Sequence, residues 1–104
     1  MASNPGDVRS WTFLSNHSHV LLCIAEDAFA RGRDIAERVG ITERAAQSII
    51  ADLVEGGYLT RQRVGRRNHY EIHEEQPLRH PVEQPNTVAE LVRLVKPPSP
   101  RARR

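Results

Sequence analysis

The chain has 104 residues, of which 38% are hydrophobic and 27% are charged, and this composition predicts one small globular domain with a modest core. No apolar run is long enough to cross a membrane, and residues 1–10 lack the basic start and apolar centre of a secretory signal. A single Cys23 excludes an internal disulfide and fits a reducing compartment, so we expect a cytoplasmic protein without membrane contact. The net charge is only +2, but 14 of the 15 basic residues are arginine, so their positions are more informative than the total.

The chain before the first predicted helix divides into a polar leader and a short apolar piece. Residues 1–10 have the polar composition of a disordered leader. Residues 11–14 read Trp-Thr-Phe-Leu and are interpreted as a brief strand or an apolar lid. In either case Trp11 and Phe13 are expected to cover the core.

A first helix is predicted from a cap at Ser15 or Asn16 to about Ala28. Leu22 and Cys23 extend its apolar surface beyond one stripe, which indicates burial on two sides. The second side is covered either by a partner chain or by a neighbouring segment of this chain. The predicted inner face is formed by Val20, Leu21, Ile24, Ala25 and Ala28.

The same helix carries residues that resemble metal ligands. His19 and Cys23 are four residues apart and share a helix face, whereas His17 lies on a different one. Two ligands are fewer than the three or four protein ligands that zinc requires, and a thiol in the sequence LLCIA behaves as a small apolar side chain. We therefore predict no metal site and no cofactor.

Residues 32–51 form the central pattern of the chain, two short amphipathic helices that meet at a tight joint. The first of these two helices stops at Gly40, because glycine adopts the left-handed conformation that closes a helix. Ile41 is apolar within the turn, and Thr42 is a candidate cap for the second helix. This spacing predicts a helix-turn-helix, with a plain helical hairpin as the alternative. The buried face of the second helix is predicted to contain Ala46, Ile49, Ile50 and Leu53.

A β-hairpin is predicted after the second helix of the helix-turn-helix, which ends at Glu55-Gly56-Gly57. Residues 58–64 and 69–73 alternate in polarity like two strands, and residues 65–68 have a turn composition. The hairpin holds four arginines within seven residues that contain no acid, and in this position it is a wing. The alternative is a solvated charged loop. These arginines are Arg61, Arg63, Arg66 and Arg67.

The segment from about Trp11 to Ile72 resembles the winged helix-turn-helix domain of MarR- and ArsR-type bacterial regulators. The resemblance is carried by residues 39–72, which include the Gly-Tyr-Leu exit into the wing and its Gly-Arg-Arg tip: VGITERAAQSIIADLVEGGYLTRQRVGRRNHYEI. It implies sequence-specific, usually dimeric binding to operator DNA. Full MarR-type proteins also have long flanking helices for dimerisation, for which this chain has little room.

The DNA contacts are expected from two regions. The recognition helix, at about residues 42–56, would enter the major groove, and the wing, at residues 61–69, would lie on the backbone or in the minor groove. The expected base-reading residues are Thr42, Glu43, Arg44, Ala45, Gln47 and Ser48. The expected backbone contacts are Arg61, Arg63, Arg66, Arg67 and Asn68.

The C-terminal part is predicted to contain an arm, a short helix and a tail. Residues 74–86 are interpreted as an extended arm, because Pro77, Pro81 and Pro85 block both helix and ladder. Residues 87–95 predict a helix with a Thr87–Glu90 capping box, which must pack on its own domain or on a second chain. Residues 96–104 are expected to be a disordered basic tail.

Together these patterns predict an α+β, mostly α fold: a three-helix core with a β-hairpin wing in residues 11–73, followed by a proline-rich arm and a short C-terminal helix in residues 74–95. The predicted function is that of a prokaryotic, homodimeric transcription regulator that binds double-stranded DNA, with no assigned effector. A winged helix that binds proteins instead of DNA is the alternative. No catalytic constellation is recognisable, so an enzyme is not expected.

Overall fold

A computed structural model describes residues 11–95 of the chain. The predicted leader at residues 1–10 and tail at residues 96–104 lie outside the described residues. In the described part no helix is long and apolar enough to cross a membrane. The elements in chain order are α1 (Asn16–Glu26), α2 (Gly32–Val39), α3 (Glu43–Glu55), β1 (Leu59–Val64), β2 (Arg67–Ile72) and α4 (Val88–Val95).

Helix α1 begins where the sequence predicts but ends two residues early. The Ser15 side chain accepts a hydrogen bond from the Ser18 amide at 3.2 Å, which caps the first turn. The helix stops at Glu26 instead of Ala28, because the carboxylate of Asp27 accepts from the Phe29 amide at 3.0 Å. This side-chain bond favours a turn over another helical residue.

The joint between α2 and α3 has the geometry expected of a helix-turn-helix. Gly40 has φ of 86°, in the left-handed region, and the amides of Gly40 and Ile41 both donate to the Ala36 carbonyl. The hydroxyl of Thr42 then accepts from the Ala45 amide at 3.0 Å and caps α3. Ile41 packs against the core and so fixes the angle between the helices.

One hydrophobic core joins the helices to the wing and to α4. Ile35 and Ala36 of α2 pack there, and Val88 of α4 covers it from the C-terminal side. The remaining buried members come from α1, α3 and the two strands: Val20, Leu21, Cys23, Ile24, Ala46, Ile49, Ile50, Leu53, Leu59 and Tyr70. All four residues predicted for the inner face of α3 are therefore buried.

Strands β1 and β2 form an antiparallel hairpin with a tighter turn than predicted. Val64 pairs with Arg67, so the loop is only Gly65 and Arg66, and Gly65 has φ of 63°. A two-residue loop needs such positive φ values, which glycine adopts without strain. Arg67 and Asn68, predicted in the turn, are the first residues of β2.

The aromatic pair before α1 does not cover the core. Trp11 is 71% exposed and Phe13 is 92% exposed, with their ring centroids 5.2 Å apart in an edge-to-face contact. Neither is in a strand, so both parts of that prediction are wrong. The core is instead completed by Val88 of α4, which is buried, with Leu78 and Leu91 packed against it.

Residues 74–86 fold back on themselves, so the predicted extended arm is also wrong. The Leu78 amide donates to the Asn86 carbonyl at 2.9 Å, and Pro77 pairs with Thr87 in an antiparallel bridge. Tyr58 donates its hydroxyl proton to the Pro77 carbonyl at 2.6 Å, which attaches this loop to the domain. Proline lacks an amide proton but keeps its carbonyl, and that carbonyl makes the attachment.

Helix α4 packs on its own domain. The Glu90 carboxylate accepts from the Thr87 amide at 2.8 Å, as the predicted capping box requires, and Val88 is buried against the core. The end of the helix is different, since Leu94 is 79% exposed and Val95 is 44% exposed. The alternative in which this helix packs on its own domain is therefore correct for the start of α4. The last turn of α4 leaves apolar side chains exposed to solvent.

Candidate nucleic-acid interface

The outer face of α3 presents polar side chains to solvent. Glu43, Arg44, Gln47 and Ser48 are exposed, because the buried side of the helix holds its aliphatic residues. Ala45 is half-buried and presents less surface than these four. The Thr42 hydroxyl accepts the capping hydrogen bond, so its acceptor capacity is partly used within the protein. The sequence therefore predicted the exposed face of α3 correctly, and the role of each residue on it stays a prediction.

The start of α2 lies beside this face, and sequence reasoning did not include it. The Gln47 amide packs against Gly32 so closely that a Cβ on Gly32 would overlap Nε2 of Gln47. Arg31 and Arg33 flank this glycine and are exposed, and no side chain of the N-cap residue Arg31 bonds to the first turn. A helix start carries free amide protons and partial positive charge, so this corner suits an anion.

The wing is attached to the loop between α1 and α2. A guanidinium nitrogen of Arg67, Nη2, donates to the Phe29 carbonyl at 2.8 Å. The Phe29 and His69 rings lie 4.8 Å apart, and the Tyr70 amide donates to the Ala28 carbonyl at 2.9 Å. Arg67 thus holds the wing in place, although the sequence suggested only a contact with DNA.

These contacts connect the three parts into one surface. The Gln47 side chain of α3 lies against Gly32 at the start of α2. Phe29, three residues before Gly32 in the loop that precedes α2, accepts the hydrogen bond from Arg67 of the wing. We call the surface formed by the exposed side chains of residues 43–48, 31–33 and 61–67 the basic face. The sequence indicated the parts of this surface on α3 and in the wing, and the fold adds the part at the start of α2.

The arginines of the basic face make no ion pair within residues 11–95. The two ion pairs in that part of the chain both involve α1 and lie elsewhere: His17 with Asp52 at 2.9 Å, and Arg38 with Glu26 at 2.5 Å. In the wing, Arg63 makes only a weak 3.3 Å hydrogen bond to the Gly65 carbonyl. None of them is therefore within ion-pair distance of a carboxylate of the described residues. These arginines are Arg31, Arg33, Arg44, Arg61, Arg63, Arg66 and Arg67.

The side of α1 that carries His19 and Cys23 has a different character. A shallow cavity of about 400 Å³ lies there, bordered by Leu22 and Val39 and by Val95 at the end of α4. Burial raises the pKa of the Cys23 thiol, which makes this cysteine a poor nucleophile at neutral pH. Among residues 11–95 no three histidine, cysteine, aspartate or glutamate side chains come together in a way that could hold a metal ion.

Comparison with known proteins gives the same fold as the geometry. The sequence model of one family, described as winged helix-turn-helix DNA-binding, matches residues 15–60. A solved structure, the zinc-dependent MarR family transcriptional regulator AdcR in its Zn(II)-bound state, matches with a TM-score of 0.50 and 20% sequence identity. The match covers 86% of this chain and 57% of that one, so this chain spans a little over half the length of the regulator. A search of curated proteins found no match.

The predicted winged helix-turn-helix fold is thereby confirmed, with a fold similar to that of a MarR family regulator, while the likeness to ArsR-type regulators stays a prediction. The zinc in the matched structure is a property of that protein. Residues 15–60 match the winged helix-turn-helix DNA-binding family, and the described chain has a winged helix-turn-helix fold that is similar to the fold of a MarR family regulator.

Proposed function

We propose that this protein is a sequence-specific DNA-binding regulator of transcription. Helix α3 would lie in the major groove, and the wing would contact the backbone or the adjacent minor groove. The observation that carries the proposal is the basic face, in which seven exposed arginines lie on α3, at the start of α2 and in the wing, and none of them forms an ion pair with a carboxylate of the described chain. A prokaryotic cytoplasm is the compartment where such a protein would meet DNA. The proposal includes no catalytic step and assigns no effector.

The two ends of the basic face are suited to different parts of DNA. Arg44 and Gln47 are three residues apart on α3, and their side chains match the edges of guanine and adenine respectively. Glu43, Ser48, Ala45 and Thr42 are further proposed base contacts, of which the last two are the less accessible. At the wing, Arg66 is in the two-residue turn, farthest from the domain. We therefore assign base reading to α3 and phosphate contact to the wing.

Arg61 and Arg63 share a face of β1 with the core residue Leu59, and both are exposed beyond the edge of the core. Arg67 bonds to the Phe29 carbonyl, and Asn68 is half-buried opposite Arg63. We propose that Arg61, Arg63 and Arg66 contact phosphates directly. Arg67 and Asn68 would contribute mainly by holding the wing in position.

Substitution of Arg66 with alanine tests the phosphate assignment. We expect binding to the preferred site and to random duplex to weaken alike, and the slope of log K against log salt to fall by about 1, because one phosphate contact is lost. The measurement is a salt titration of both duplexes by fluorescence anisotropy. Arg79→Ala, an exposed arginine in the loop before α4, is the matched control and should leave the slope unchanged. Loss of specificity with random binding intact would mean that the wing reads bases.

A winged helix that binds proteins is the competing function. Its wing would have no need for unpaired arginines, whereas a DNA-binding wing requires them. The two are separated by a retardation assay with random duplex at low salt. We expect a shifted complex that disappears as salt rises, and an interaction module would give no shift at any salt concentration.

We also propose that the protein is a homodimer. The last turn of α4 keeps Leu94 and Val95 in solvent, and Val95 borders the shallow cavity next to Leu22 of α1. Val95, Leu22 and Val39 border the same cavity, and a two-fold partner would bury them together with the exposed Leu94 beside Val95. Half-sites should then lie about one DNA turn, roughly 10 base pairs, apart.

Charged residues at the end of α4 test this assembly. We expect Leu94→Glu with Val95→Glu to convert a dimer into a monomer in sedimentation at micromolar concentration, because both side chains would carry charge into the interface. Leu91 is unsuitable for this test, since it packs in its own domain. Val82→Glu, in the loop before α4, introduces charge at another exposed apolar residue and should leave the dimer intact. A monomeric wild type with a non-palindromic selected site contradicts the proposal.

A further inference from the structure

The side chain of Gln47 on α3 occupies the space beside Gly32 at the start of α2. Gly32 is the first residue of α2, and Gln47 is on the exposed side of α3. A Cβ on Gly32 would overlap Nε2 of Gln47, with Cδ of Gln47 at 3.3 Å and Oε2 of Glu43 at 4.0 Å. The space of one methyl group at position 32 is therefore occupied by the Gln47 amide.

The backbone at Gly32 does not itself require glycine. The glycines with positive φ in the described chain are Gly40, Gly57 and Gly65, so Gly32 has a conformation that alanine also adopts. Alanine is also the better helix former. The feature that an added methyl group disturbs is thus the position of the Gln47 amide.

The Gln47 amide is at the end of a flexible side chain, so the overlap is relieved by rotation of that chain. Rotation away from Gly32 moves the amide away from α2 and further into the solvent next to the exposed side of α3. A bidentate amide contact to adenine depends on where the amide oxygen and nitrogen lie, because both must face the base edge. A methyl group at position 32 would therefore change where the Gln47 amide lies in front of α3.

We propose that Gly32 is a specificity-determining residue, which sets the base preference of α3 by leaving room for the Gln47 amide against α2. This inference rests on the proposed DNA-binding function and deepens it. Gly32 makes no base contact of its own and acts as a positioning residue through Gln47. With alanine at position 32, the preferred base at one position of each half-site changes.

The experiment compares four proteins: wild type, Gly32→Ala, Gln47→Ala and the double variant. Each is used to select binding sites from random duplex, and affinities for the selected sites are measured. We expect Gly32→Ala to change the preference at one base position by about fivefold or more, the ratio that corresponds to a contact of about 1 kcal/mol. In the Gln47→Ala background, Gly32→Ala should change this base preference by less than about twofold, because the Gln47 amide is absent.

A second readout does not depend on DNA. In the wild type, a nuclear Overhauser effect should join the Gln47 side-chain amide protons to the Gly32 α-protons, and it should be lost in Gly32→Ala. The melting temperature of Gly32→Ala should equal or exceed that of the wild type, which shows that the variant folds.

The outcomes separate this inference from the proposed function. If the wild type selects a sequence and Gly32→Ala selects the same one, the inference is wrong and the proposed function stands. An equal change in both backgrounds also overturns it, because Gly32 would then act without Gln47. If the wild type selects no sequence at all, both fail, and the Overhauser effect shows whether the packing itself was right.

Discussion

Replacing Ile50 with alanine is expected to lower the free energy of unfolding by about 2–5 kcal/mol, the range for removal of a buried isoleucine side chain. Ile50 is fully buried in α3, directly behind the exposed residues of the basic face. A loss of this size is a large fraction of the total stability of a domain of this length. The measurement is urea unfolding followed by far-ultraviolet circular dichroism.

Val64→Ala is the matched control for this loss, since Val64 is an exposed β-branched residue at the tip of β1. Its substitution should change stability by no more than about 0.5 kcal/mol. If the two variants lose stability equally, Ile50 is not in the core and α3 is oriented differently. The exposed face of α3 would then no longer be the one assigned to DNA.

Replacing Arg44 with alanine is expected to weaken binding to the preferred site by about 1–3 kcal/mol while random-sequence binding is nearly unchanged. The reason is that a guanidinium fork pairs with both acceptors of guanine, an interaction that only the correct base provides. Arg44 is exposed on α3, about one helical turn before Gln47. Anisotropy titrations on the selected site and on a scrambled one give both quantities.

Arg44→Lys is the control that separates charge from geometry, because lysine keeps the positive charge and lacks the planar fork. We expect it to lose most of the same discrimination. If Arg44→Lys binds like the wild type, the contact is to a phosphate. If Arg44→Ala weakens both duplexes equally, base reading by this residue is contradicted.

The features that the sequence predicted well are determined by neighbouring residues. Gly40 closes α2 through its own left-handed conformation, and Thr42 caps α3 through a bond to an amide three residues away. The start of α1 at Ser15 and the capping of α4 by Glu90 have the same local origin. Such signals are visible in a single sequence, because both partners lie within one turn.

The features that the sequence did not predict depend on residues far apart in the chain. Trp11 and Phe13 resemble core residues but are exposed, whereas Val88, more than seventy residues later, is buried in the core. The loop at residues 74–86 is held by Tyr58, which no local pattern connects to Pro77. The end of α1 is an exception, since the Asp27 turn is local and was overlooked.

The candidate site shows the same division. The exposed residues of α3 follow from the helical period, once its buried face is known. The approach of Gln47 to Gly32 and the bond from Arg67 to Phe29 arise only when three elements pack together. A pair of arginines flanking a glycine at the start of α2 was the available signal for the middle of the basic face.

The most direct test of the account is a map of the DNA contact on the protein. Amide chemical shifts are followed by nuclear magnetic resonance while the selected duplex is added. We predict the largest changes in residues 43–48, in residues 31–33 and in the wing at residues 61–67, with little change in the loop at residues 74–86. Changes concentrated in that loop and in α4, with the basic face unaffected, would contradict the proposal that this face binds DNA.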